Sequence, residues 1–100
     1  MTQRVLHVFA SDHPTAAGHF PGNPIIPGAI ILREIVQAVS SATGLAVVAI
    51  PSVKFLHPVR PGDVIAIAWT LRPMGLARFD CVAESNGTTL VTGALRMGSP

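Results

Sequence analysis

His19, Gly28 and Glu34 are the residues of this 100-residue sequence whose types and surroundings suit acid–base chemistry at a polar substrate. His19 lies in Gly18-His19-Phe20-Pro21-Gly22-Asn23-Pro24-Ile25-Ile26-Pro27-Gly28. An imidazole titrates near neutrality and serves as base and acid within one turnover, a role worth about 10²–10⁴-fold in rate. The plain alternative for His19 is a hydrogen bond that anchors its own loop. Gly28 stands where a helix pattern begins. There the first free N–H groups and the positive end of the helix dipole would meet a developing oxyanion, and the missing side chain permits close approach. Glu34 is the helix carboxylate, with Arg33 beside it, so an ordinary ion pair between the two competes with a chemical role.

These residues need a frame. Residues 4 to 10 alternate as a first strand, and the density of Pro and Gly from Ser11 to Gly28 forbids regular helix or central strand. Phe20, Ile25 and Ile26 within that stretch favour a loop pressed onto the core. Residues 29 to 43 predict a four-turn helix opened by Pro27-Gly28 and stopped by Gly44. At about 100° per residue, Ile31, Leu32, Ile35, Val36, Ala38, Val39 and Ala42 fill one broad face, while Arg33, Gln37, Ser40 and Ser41 gather opposite. Strands are expected over 45–56, 63–72, 76–85 and 88–97, the last three as an antiparallel meander. The Asn86-Gly87 pair is the strongest short hairpin signal, and Pro73-Met74-Gly75 marks the turn before it. One long helix against one curled antiparallel sheet is an α+β plan in a single domain.

Composition limits the partners. Hydrophobic residues make up 49% of the chain and charged residues only 12%, against about 25% charged in ordinary soluble domains. So sparse a polar surface predicts that another subunit covers part of it, as a homodimer or higher homo-oligomer, which also adds stability to a small domain. The net charge of +2 comes from six arginines and one lysine scattered singly, so no nucleic-acid footprint is supported. The same mild balance suits an acidic protein partner. A lone Cys81 excludes an internal disulfide, and no Cys/His spacing matches a zinc site, so neither metal nor organic cofactor is expected. The N-terminus lacks the layout of a signal peptide and no uninterrupted apolar run suits a membrane span, which makes the cytoplasm the simplest compartment. His7 and His13 read as structural histidines, Asp12 and Asp63 as turn caps, Trp69 and Phe79 as core or cavity lining, and Cys81 as buried and inert.

The His19 segment and a second one, Lys54-Phe55-Leu56-His57-Pro58-Val59-Arg60-Pro61-Gly62-Asp63, resemble the bacterial (3R)-3-hydroxyacyl-[acyl-carrier-protein] dehydratases over roughly residues 17 to 97. The first is similar to that family's His-Phe-Pro-Gly-x-Pro-x-x-Pro-Gly signature, a specific match of low-propensity residues at fixed offsets. The resemblance implies a hot-dog fold, side-by-side dimers, and acyl tunnels along the dimer interface. It implies that His19 removes the proton alpha to a thioester carbonyl and that the Gly28 N–H holds the carbonyl oxygen. Phe20, Pro27, Arg33 and Gln37 would then border the acyl group. His57 and Arg60 would meet the carrier protein or its phosphopantetheine phosphate, unless they are plain surface charges.

At one position the sequence departs from the pattern. The family's helix carboxylate, which helps expel the 3-hydroxyl, falls at Arg33, and Gln37 shows that the register is kept. Arg33 remains charged and cannot be the general acid, and Glu34 points about 100° away. Three readings follow: Glu34 takes over the acid role, Arg33 and His19 run a modified reaction, or the chain is a non-catalytic acyl-binding subunit of a heteromer with an active homologue. Thioester hydrolysis by a helix carboxylate and water is the competing enzyme class. A chain this short, without a longer N-terminal segment, fits a specialised pathway protein.

Overall fold

The computed structural model describes residues 2–9 and 25–100. Pro27, at φ −58° and ψ 143°, has an extended backbone and leads into α1, Gly28–Thr43. Ile31, Ile35 and Val39 are buried at spacings of four, one row along the helix. The helix ends at Gly44, whose φ of 72° is a left-handed cap and whose N–H donates to the Ser40 carbonyl at 2.9 Å. The apolar face expected from the sequence is wider than the one the fold buries. Leu32 and Val36 are only half-buried and Ala42 is exposed, because a single sheet covers one side of the helix and leaves the flanks open.

Five strands form that sheet: β1 (Thr2–Val8), β2 (Ala46–Phe55), β3 (Val64–Arg72), β4 (Leu76–Ala83) and β5 (Thr89–Gly98). Their spatial order is β1-β3-β4-β5-β2, antiparallel throughout, with β1 and β2 as the edges. Alternate residues face the helix: Ile65, Ile67 and Trp69 on β3, Ala77, Phe79 and Cys81 on β4, Val91, Leu95 and Met97 on β5. This is the expected meander, and Trp69, Phe79 and Cys81 take the core places the sequence predicts. The first strand begins two residues earlier than expected, and Phe9 follows it as a buried core residue.

Gly93 has no room for a side chain. A Cβ there would press into the Ser52 carbonyl oxygen and lie 2.9 Å from the tip of the Phe79 ring. Beside it β2 is irregular, with register shifts between Val47 and Ala49 and between Ala49 and Ser52. Pro51 sits inside this break on an edge strand, where a missing N–H costs no ladder bond. The edges also carry most of the exposed large apolar residues: Val5, Leu6 and Val8 on β1, Val48, Ile50 and Phe55 on β2.

The β4–β5 hairpin forms around Asn86-Gly87 as expected, but through a longer connection than a two-residue turn. Asn86-Gly87 belongs to a four-residue connection closed by Ala83 N–H to Thr88 O and Gly87 N–H to Ala83 O, both 2.8 Å, and only Gly87 there has positive φ. The tight turn is Pro73–Gly75, where Met74 and Gly75 both adopt left-handed φ, 67° and 76°. A Cβ on Gly75 would come within 2.6 Å of the Met97 carbonyl oxygen, so close backbone approach fixes glycine there, while Met74 before it is a non-glycine residue in the left-handed region.

Candidate functional site

The helix start is bound to one turn. Ile26 N–H donates to the Val59 carbonyl at 2.7 Å, and Val59 is fully buried. The N–H groups of Ile30 and Ile31 both donate to the Pro27 carbonyl, which leaves those of Gly28 and Ala29 without a partner among the described residues. Among the described residues no side chain caps this end and the first turn holds no acid, so none of them answers the positive end of the dipole. Beside it lies a cavity of 360 Å³ lined by Ile25, Ile26, Gly28, Ile31, Phe55, Leu56, His57, Pro58 and Val59. Two free amides next to an apolar cavity form a ready site for an oxygen that gains negative charge.

The Phe55 ring was missed in the sequence. Its tip lies 3.1 Å from where a Gly28 Cβ would stand, so the ring fills the side-chain space the glycine leaves empty. The place of Phe55 within the second motif was the available signal, but the contact depends on the register of an irregular strand.

Glu34 faces elsewhere. Its carboxylate lies 3.7 Å from His7 Nδ1 and 3.9 Å from Arg33 Nε, and it lines a separate cavity of 320 Å³ with Val5, His7, Gln37, Ala38, Ser41 and Ile67. The His7 ring stands edge-on to buried Phe9 at 4.6 Å. Arg33, 64% exposed, projects outward. The pairing of Glu34 with Arg33 is as the sequence suggests, and His7 is the second partner. Within one chain Glu34 and Gly28 therefore border different cavities, the consequence of their separation around the helix.

His57 lies between two cavities. It borders the Gly28 cavity and also a larger one of 590 Å³ with Arg60, Asp63, Glu84, Asn86 and Thr88. Asp63 caps its turn, accepting the Arg60 N–H at 2.8 Å, and Glu84 is paired with Arg4. Carboxylates thus share this cavity with His57 and Arg60, which both lie on the surface. Burial pushes the Cys81 thiol up to about 12, which keeps it protonated and unreactive at neutral pH. Among the described residues no three His, Cys, Asp or Glu side chains gather as a metal site, and no helix is long and apolar enough to cross a membrane. His19 and Phe20, with Asp12 and His13, lie outside the described residues.

One long helix laid against a curled five-strand antiparallel sheet, with a free helix start opening on an apolar cavity, defines a hot-dog protein of the α+β class. Solved structures agree on that fold. The dehydratase heterocomplex ApeI:P from Xenorhabdus doucetiae superposes with a TM-score of 0.79 at 20% identity, covering 96% of this chain and 86% of that one. The R-hydratase PhaJ1 from Pseudomonas aeruginosa gives 0.75 at 16% identity, covering 100% and 80%. The profile of the ApeI-like family, described as ApeI dehydratase, matches residues 2–94, and the chain belongs to that family. Curated relatives include the 3-hydroxyacyl-[acyl-carrier-protein] dehydratases FabZ of Sodalis glossinidius, 37% identical over 76% of this chain, and of Aeromonas hydrophila, 30% identical over 94%. The chain spans 59% of the length of the first and 70% of the second.

Proposed function

We propose that the chain dehydrates 3-hydroxyacyl thioesters carried on the phosphopantetheine of an acyl carrier protein, giving trans-2-enoyl thioesters for fatty-acid or polyketide-like synthesis in the cytoplasm. The observation that carries this reading is the pair of free amides at Gly28 and Ala29 beside an apolar cavity. His19 takes the proton from the carbon alpha to the thioester, and the charge that builds on the carbonyl oxygen is met by the Gly28 N–H. The carbon–oxygen bond at C3 then breaks, the C2–C3 double bond forms, and the hydroxyl leaves as water once a proton reaches it. Glu34 is the nearest carboxylate on the helix to donate that proton, and since it borders a different cavity of its own chain, it serves the site of a second copy. The exposed apolar residues of the β2 edge favour such a homodimer. Phe20, Pro27 and Gln37 border the acyl group, while His57 and Arg60 face the carrier.

A second reading has its own support. Arg33 holds the family's carboxylate position, Glu34 is engaged by His7 and Arg33, and a neighbour in fold is a heterocomplex. On that reading the chain binds acyl groups beside an active homologue. The test supplies purified protein with a 3-hydroxyacyl-pantetheine thioester. Enoyl-thioester formation that vanishes in His19→Ala and falls in Glu34→Gln supports the first reading. Release of free thiol makes the protein a hydrolase instead. No turnover alone, with turnover on adding an active homologue, supports the heteromer.

A further inference from the structure

The ring of Phe55 packs against the side-chain position of Gly28 and lines the same apolar cavity beside the start of α1. Its Cε1 and Cζ atoms come within 3.1 Å, and its Cε2 within 3.4 Å, of the side-chain position of residue 28. The backbone beneath the ring is fixed: Phe55 pairs with Val91, and the N–H groups of Leu56 and His57 both donate to the Leu90 carbonyl, at 2.8 and 3.3 Å. Only rotation about the side-chain bonds moves the ring. In the single chain the ring is 49% exposed. A thioester whose carbonyl oxygen rests on the Gly28 amide places its first acyl carbons against this ring before the chain reaches Ile26, Ile31 and Val59.

We propose that Phe55 is the specificity-determining residue of this site, selecting unbranched 3-hydroxyacyl chains by the width it leaves next to the thioester carbonyl; this rests on the dehydratase reading above. A straight chain slides along the ring face. A substituent at C4 meets the ring, and a rigid aromatic at that place yields only by turning out of the cavity. Selection therefore acts on girth near the carbonyl rather than on total chain length. Gly28 belongs to the same device, since any larger residue there displaces the ring.

The experiment compares 3-hydroxyhexanoyl-pantetheine with its 4,4-dimethyl analogue in wild type, Phe55→Leu and Phe55→Ala. Wild type is expected to prefer the straight chain by about 10-fold or more in kcat/KM, and the preference to fall towards unity in Phe55→Ala, chiefly through a lower KM for the branched thioester. Gly28→Ala is expected to lower straight-chain turnover, and Phe55→Leu to restore part of that loss in the double variant. Phe55→Ala lowering both substrates by the same factor, or a Gly28→Ala loss that Phe55→Leu leaves unchanged, overturns the assignment. Calorimetric binding of the two thioesters runs in parallel. If wild type turns over neither, the dehydratase reading fails, while the ratio of the two affinities still decides whether Phe55 selects.

Discussion

Replacing Gly28 by proline deletes one amide proton at the helix start and changes little else in the backbone. Gly28 is the first helical residue, where proline's fixed φ suits the helix and the lost N–H has no partner among the described residues. Pro27 precedes it with ψ 143°, the extended conformation that a following proline demands. Proline also brings a Cβ towards the Phe55 ring, so Gly28→Ala is the control that carries the same carbon and keeps the N–H. Ala29 keeps its own N–H in both variants. The ratio of the two therefore reports the loss of the amide donor together with the ring carbon that takes its hydrogen's place. One oxyanion donor is worth about 10²–10³ in kcat, or about 2.7–4 kcal/mol. Gly28→Pro is expected to dehydrate a 3-hydroxyacyl-pantetheine about 10²–10³-fold more slowly than Gly28→Ala, with thermal midpoints a few degrees apart at most. Equal rates in two folded variants would refute the role given to this amide.

Other consequences are open to measurement. Arg33→Glu returns a carboxylate to the family's helix position and should raise dehydration by about 10-fold or more, as read by enoyl-thioester formation; an unchanged or lower rate removes that position from the elimination step. Met74→Gly relieves a left-handed non-glycine residue, and after glycine's extra chain entropy should gain about 0.5–1 kcal/mol, a rise of about 2–8 °C in Tm by calorimetry. Burial holds the Cys81 thiol neutral up to about 12, whereas the unfolded thiol ionises from 9.0 upward. Unfolding thus releases a proton in that window, and denaturant stability should fall as pH rises from 9.0 towards 12, less steeply in Cys81→Ala. Gly93→Ala pushes a methyl into the Ser52 carbonyl and the Phe79 ring, and should cost about 1–3 kcal/mol in urea melts.

The elements were legible because punctuation sets them. Pro27 and Gly44 bracket α1, and prolines and glycines separate the later strands, so order and type follow from local chemistry. The free amides at Gly28 follow from the same bracket. What stayed hidden depends on contacts between distant residues. Nothing local tells that Phe55, at the far end of a strand whose register shifts twice before it, reaches Gly28, or that His7, alternating inward with Phe9, meets Glu34. The turn at Pro73–Gly75 was legible but its left-handed backbone was not: Gly75 approaches the Met97 carbonyl, and that is a property of strand packing.

Both stems of the segment bearing His19 are clamped to one turn. Phe9 exchanges backbone bonds with Gly62 and Asp63, 2.6 Å from its carbonyl and 3.1 Å from its N–H, while Ile26 donates to Val59 three residues upstream of that pair. The clamps are made by peptide groups, so they hold whatever side chains the stretch between them carries. The frame at the two ends is therefore set by main-chain bonds of Phe9 and Ile26 to the 59–63 turn, whichever chemistry is carried between them. The same turn thus ties β1 and the start of α1 into one rigid corner of the molecule.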